Sequence, residues 1–147
     1  MIKILNFLLI LVVFVFFIII FLRFNNKPNV IINQHKFMVD VAETDGQKAR
    51  GLDIYDKLPL EKGMIFPFKT DGKYSFWMKG MKFPIDIIYI KNDKIAEIFS
   101  NIPNPKTSTE TPAIVTPHEN INYVLEINAG LSRRYNFKVG GKANINL

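Results

Sequence analysis

Between Ile4 and Leu22 the chain carries one polar residue, Asn6, and nothing else in its 147 residues constrains the fold as strongly. As a helix this block would be about 28 Å long at ~1.5 Å per residue, close to the ~30 Å hydrocarbon core of a bilayer. Its Phe, Ile and Val content is poor helix material in water. In lipid, however, a lone segment must satisfy its own backbone hydrogen bonds, which only a helix allows. A buried helix of a soluble domain would need a core around every face, more than the remaining residues, about 125, can supply.

The block is longer than the ~7–15 apolar residues of a cleaved signal. Arg23-Phe24-Asn25-Asn26-Lys27-Pro28 follows it without a small-residue cleavage site, and there is no cysteine to carry a lipid. The expectation is an uncleaved signal anchor over residues 1–24, a single-pass transmembrane helix, then a polar linker over 25–36 and one folded domain over 37–147. Arg23, Lys27 and Lys36 after the block outnumber Lys3 before it, and that count alone would keep the domain in the cytoplasm. A three-residue tail followed by a long apolar run is nonetheless how secretory signals begin. The domain is therefore expected outside the cytoplasm, at the cell membrane.

Zero cysteine also removes thiol catalysis, structural zinc and a disulfide scaffold. The formal net charge of +6 comes from 19 Lys+Arg against 13 Asp+Glu, scattered singly rather than in a stripe. Such a distribution suits a solvated face near anionic headgroups, not a nucleic-acid footprint.

Beyond the linker, the pattern is of short strands. Phe37 to Ala42 alternates like a strand with one buried face. Thr44 and Gln47 have capping-box spacing ahead of a short helix over Gln47–Leu52. Leu58 to Gly63 is turn material leading into Met64-Ile65-Phe66. Lys73 to Met78 is a further strand candidate, and Pro84–Ile90 with Lys94–Ser100 reads as a hairpin about Lys91-Asn92-Asp93. Ile102 to Asn120, with Pro103, Pro105, Pro112 and Pro117, is a long surface loop. Tyr123–Ile127 is a strand, Ala129–Tyr135 a helical turn, and Lys142–Leu147 a last strand. The fold class is mainly β (α+β): a compact antiparallel sheet or barrel-like domain with one or two short helices.

Ala49-Arg50-Gly51-Leu52, Leu58-Pro59…Gly63-Met64-Ile65-Phe66, Phe76-Trp77-Met78-Lys79, Phe83-Pro84-Ile85-Asp86-Ile87-Ile88-Tyr89-Ile90 and Tyr123-Val124-Leu125-Glu126-Ile127-Asn128-Ala129-Gly130 occur in a fixed order. In that order and spacing the chain resembles the DUF192 family, small uncharacterised bacterial and archaeal domains that often carry a signal peptide. The resemblance covers nearly everything from Phe37 onward and implies a compact, mainly β domain. Three positions depart from the family pattern: Asp53 in place of Met, Gly80-Met81 in place of Asn-Thr, and Gly141 in place of Asp. A polar site shared by the family around those positions would be altered here.

The usual catalytic parts are sparse. His35 and His118 have no partner at metal-ligand spacing. Ser75, Ser100, Ser108 and Ser132 sit in no nucleophile-elbow context, and there is no phosphate loop or dinucleotide fingerprint. No catalytic residue, metal or cofactor is assigned. What stands out is charge among apolar residues: Asp86, Glu126 and Arg50. A buried carboxylate must be paired or neutralised. Arg50 could therefore pair with Asp86 or Glu126 as a buried staple. Alternatively the three could line a pocket for a polar ligand, or the two carboxylates could act as the acid pair of a glycoside hydrolase. Strand alternation places Phe76 and Met78 in the core and Trp77 on the other side, where Trp77, flanked by Lys73, Lys79 and Lys82, could stack on a ligand.

The reading is of a membrane-anchored extracytoplasmic domain, not an enzyme, that binds a small polar ligand or an envelope partner through Arg50, Trp77, Lys79, Asp86 and Glu126. A small cell-wall glycan hydrolase using Asp86 and Glu126, and a purely structural envelope component, are the alternatives.

Overall fold

The computed structural model describes residues 2–25 and 27–147, and within the first helix it describes the side chains of 8–20. The chain runs α1 (Ile2–Asn25), β1 (Asn29–Ile32), β2 (His35–Val41), α2 (Asp45–Arg50), a 3₁₀ turn (Gly51–Ile54), β3 (Lys62–Gly72), β4 (Phe76–Trp77), β5 (Ile85–Lys91), β6 (Lys94–Ile102), β7 (Ile114–Val115), β8 (Ile121–Asn128), α3 (Leu131–Arg134) and β9 (Ala143–Asn146).

In α1 every side chain from Leu8 to Ile20 is exposed. Among the described residues no helix is long and apolar enough to cross a membrane. The transmembrane helix expected over 1–24 is thus not found there, and the parts of that expectation resting on the side chains of 1–7 and 21–24 lie outside the described residues.

Seven strands make one sheet in the order β6-β5-β8-β3-β2-β1-β9, and β4 pairs β7 in a separate ribbon. All neighbours are antiparallel except β2 and β3, which run parallel with Val39 beside Gly63. The sheet curls until its two edges meet at one corner. There Ile95 N–H donates to Gly141 O at 2.9 Å, Gly140 N–H to Ile95 O at 2.8 Å, and Ala143 N–H to Asp93 O at 2.8 Å. The result is a mainly β half-barrel with few short helices, as the strand pattern suggested.

Two apolar cores follow from the curl. The inner one takes residues from all seven strands, among them Val30, Phe37, Ile65, Ile88, Leu125 and Ala143, and is closed by Leu131 and Phe137. The outer one packs Phe66, Ile85, Ile87, Tyr89 and Val124 under Leu52, Leu58, Met78 and Met81. Strand β5 is consequently buried on both faces from Ile85 to Ile90. Such strands read as continuous apolar runs rather than alternating ones.

The stretch taken as linker contains β1. Its short run Asn29-Val30-Ile31-Ile32 turns into β2 through Asn33 (φ 47°) and Gln34 (φ 70°), a hairpin whose left-handed residues suit the strand twist. The β5–β6 hairpin turns the same way at Asn92 (φ 48°) and Asp93 (φ 61°). Lys73–Met78 shrinks to the two residues of β4, because their pairing partner is the equally short β7 inside the Pro-rich loop.

Gly63 sits where β3 packs tightly against β8. A Cβ there would lie 2.7 Å from the Glu126 carbonyl oxygen and 3.0 Å from Ile127 Cγ2. Gly63→Ala is expected to lower stability by about 2–4 kcal/mol through forced separation of β3 and β8, read as a drop in the urea midpoint.

Candidate functional site

The parallel β2–β3 pair needs a long connection, and α2 with its 3₁₀ turn lies on it. Thr44 starts the helix: its hydroxyl accepts from the Gln47 N–H at 3.3 Å while Gln47 Oε1 accepts from the Thr44 N–H at 2.9 Å. Gly51 ends it at φ 54°, a left-handed value that favours glycine. Space makes the same demand, since a Cβ at Gly51 would sit 3.3 Å from Glu126 Oε2 and 3.6 Å from Phe66 Cζ. Leu52 then plunges into the outer core.

Glu126 lies beneath this elbow. On β8 it faces Met64 and Ile87 across the two neighbouring strands, and it is 4% exposed. Its Oε2 is buried and, among the described residues, has no hydrogen-bond partner. Burial, opposed by the Leu52 backbone N–H and helped by the charge of Asp53, pushes its pKa to about 8. At neutral pH this carboxyl is therefore mainly protonated. Asp53 in turn lies against Gly80: a Cβ at Gly80 would touch Asp53 Cβ and Oδ2 at 3.4 Å. Two of the three departures from the family pattern meet here, beside Glu126.

Asp86 is 0% exposed but fully engaged. Its Oδ1 accepts from the N–H groups of Asn101 and Gly130, both at 2.8 Å, and its Oδ2 from the Ser132 N–H at 2.8 Å and the Ser132 hydroxyl at 2.6 Å. It ties the end of β6 to the start of α3. The staple expected from Arg50 is absent: Arg50 is exposed, and among the described residues it forms no ion pair. Backbone donors, not a guanidinium, compensate the buried charge. Asp86 pairs with Ile127 of the inner core, and Glu126 with Ile87 of the outer core, so the two carboxylates occupy opposite faces of the sheet. They cannot flank one glycosidic bond.

Trp77 lies elsewhere, on the β4–β7 ribbon, opposite Ile114. Both are exposed, at 49% and 63%, on the wall of a cleft of about 400 Å³ whose other walls include Lys48, Phe68, Tyr74 and Phe76. Phe68 and Tyr74 stack with centroids 3.7 Å apart. Lys48 Nζ sits 4.5 Å from the Phe68 centroid, and Lys79 Nζ 5.2 Å from that of Trp77. The buried Tyr89 hydroxyl donates to Val115 O at 3.1 Å and pins the ribbon to the sheet, with burial raising the phenol well above its ordinary value. Phe76 meets Phe66 edge-on at 4.8 Å, and Phe66 touches the Gly51 position, so the cleft floor adjoins the Glu126 pocket. A second cleft, about 300 Å³, opens on the other side of the elbow between Arg50, Gly51, Tyr55 and Met64. There Lys62 donates to the Tyr55 hydroxyl at 2.8 Å, which is the main cause of its raised pKa, and pairs with Asp40 at 3.0 Å.

Of the five residues singled out from sequence, the fold brings Trp77 and Lys79 together, sets Arg50 and Glu126 at the elbow, and sends Asp86 to the far face. Lys48, Phe68, Tyr74 and Ile114 were missed as cleft residues. Ile114-Val115, two β-branched residues among prolines and threonines, was the available strand signal. His35 stacks on Tyr135 at 3.7 Å, and His118 pairs with Glu97 at 2.7 Å. Among the described residues no three potential metal ligands cluster.

The raised pKa of Glu126 has a signed consequence. Between about pH 4.5 and 8 the unfolded chain loses a proton that the folded one keeps, so this residue's contribution to stability falls as pH rises through that window. Glu126→Gln is expected to flatten that slope and to raise stability at pH 8 by about 1–3 kcal/mol, read from denaturation midpoints across the pH range. A variant with an unchanged slope would show that Glu126 ionises normally.

The DUF192 family profile, described as "Uncharacterized ACR", matches residues 29–145. A crystal structure of a protein of unknown function from Novosphingobium aromaticivorans DSM 12444 superposes with a TM-score of 0.68 and 32% identity, over 80% of this chain and 83% of that one. A second, from Sinorhizobium meliloti 1021 and described as a proposed transcription regulator, superposes with a TM-score of 0.69 and 28% identity, over 80% and 91%. No curated protein matches the chain. With the profile covering nearly the whole half-barrel, the chain belongs to the DUF192 family.

Proposed function

We propose that this chain is a binding domain rather than an enzyme, held at a membrane by its N-terminal apolar helix on the extracytoplasmic side, and that it takes a small ligand in the aromatic cleft beside α2. One observation carries the binding reading: Trp77 and Ile114, a cross-strand pair, stand exposed on a concave wall. Apolar surface left in water forgoes about 25 cal/mol per Å², and a concave aromatic surface with a few polar groups is the usual form of a small-molecule site. The cleft also favours this reading over a purely structural envelope component.

The hydrolase reading loses its support with Asp86 and Glu126 on opposite faces. A nucleic-acid role, which the description of the Sinorhizobium protein would suggest, has little to build on. Neither α2, of six residues, nor α3, of four, has the length of a groove-reading helix. For the membrane, the support is α1 itself, apolar and exposed on every side from Leu8 to Ile20. A helix hydrophobic all round is stable against lipid or protein, not in water.

Native mass spectrometry of the full chain with envelope extract tests the cleft. A small-molecule adduct is expected with the natural protein and lost in Trp77→Ala combined with Ile114→Ser, at an unchanged unfolding temperature. An adduct that survives both substitutions would place the ligand elsewhere. Vesicle flotation tests the membrane. The full chain should float with phosphatidylcholine vesicles, and Val13→Arg with Phe17→Arg should leave it in the soluble fraction, each charge opposing insertion by about 2.5–3.5 kcal/mol. A reporter fused after Leu147 that works only in the cytoplasm would overturn the extracytoplasmic placement if it were active.

A further inference from the structure

We infer that the aromatic cleft selects a small apolar acid, a carboxylate carried on an alkyl chain or a ring; this rests on the cleft being the binding site. Its walls supply the apolar half of that description through Phe68, Phe76, Trp77 and Ile114. The polar half follows from which groups are already engaged. The Ser75 and Thr116 hydroxyls hydrogen-bond each other at 2.8 Å, and the Tyr74 hydroxyl donates to Thr70 O at 2.8 Å. One hydroxyl proton of the Ser75–Thr116 pair and the Tyr74 proton are thereby engaged within the protein.

Lys48 remains on the cleft wall, and Lys79, which lines a neighbouring cleft, reaches the ring of Trp77. Each holds its ammonium over a ring, of Phe68 and of Trp77, and among the described residues neither forms an ion pair. A ring face attracts an ammonium but accepts none of its three N–H donors in the manner of an oxygen. Those donors stay available to a carboxylate. Among the described residues no acidic side chain lines the cleft. Glu43 and Asp45 line an adjoining cleft that shares Lys48, Phe68 and Tyr74 and also holds Lys69.

The three alternatives in ligand charge fare differently. A cation would meet the Lys48 ammonium on the wall and the Lys79 ammonium at the Trp77 ring. A neutral amphiphile would bury its chain, but its hydroxyl would accept from an ammonium more weakly than a carboxylate does. An apolar acid satisfies both halves at once, and a cleft of about 400 Å³ is of small-molecule size.

Trp77 is the only tryptophan, so its emission reports from the cleft wall itself. The test titrates octanoate, 1-octanol and octyltrimethylammonium into the full chain held in phosphatidylcholine nanodiscs. Octanoate is expected to change Trp77 emission saturably, and octyltrimethylammonium is not. Lys48→Met with Lys79→Met keeps both apolar stems and should weaken octanoate about tenfold while leaving the octanol response as it was. Lys48→Arg with Lys79→Arg should restore octanoate binding. Octanoate and octanol binding equally well, or octanoate binding unchanged in the methionine variant, would overturn the preference for an acid and leave the cleft as a site. If no probe moves Trp77 emission while the extract adduct still depends on Trp77 and Ile114, the ligand class is wrong. If that adduct is also missing, the cleft itself is not the binding site.

Discussion

Over Gly63–Phe66 on β3, Ile85–Ile90 on β5 and Val124–Ile127 on β8, the sheet is buried and a side chain has no route to water. Cores lie on both faces of β3, β5 and β8, so any charge placed there must be met by the protein's own donors or give up its charge. Asp86 takes the first course. Four donors from the end of β6 and the start of α3 converge on it, and hydrogen bonds to a charged acceptor contribute about 1.5–3 kcal/mol each. One carboxylate thereby fixes a strand end, a left-handed glycine and a helix start. Glu126 takes the second course, with one oxygen unpartnered among the described residues and its proton retained.

The same sheet dictates where recognition can happen. Parallel pairing of β2 with β3 demands a crossover, since a tight turn joins only antiparallel neighbours. That crossover carries α2, Gly51 and Asp53 over Glu126, and the β4–β7 ribbon rises beside it. Trp77, Ile114 and Lys48 all ride on connecting segments, while the strands beneath supply rigidity. A site built this way varies by loop chemistry without disturbing strand register.

Much of the fold was legible because its signals are local. The capping box at Thr44 and Gln47, the Asn92-Asp93 hairpin and the alternation that turns Trp77 outward each depend on a few adjacent residues. What was not legible depends on partners far away in sequence. Asp86 was recognised as a buried acid, but its partners are backbone N–H groups, which no residue type advertises, and so Arg50 was paired with it in their place. The cleft joins Lys48 on the crossover to Ile114 in the Pro-rich loop, a meeting fixed only by the β4–β7 pairing. Strand β1 was hidden because four residues next to Pro28 and a turn resemble a linker until β2 and β9 are seen on either side.

The contact between Asp53 and Gly80 bears on how such sequences drift. The crossover carries an acid where the family pattern has methionine, and the opposite loop carries a glycine where that pattern has asparagine. A Cβ restored at position 80 would press on Asp53 at 3.4 Å. The side chain allowed at position 80 is thereby set by the acid at position 53 as well as by the left-handed backbone there, φ 76°.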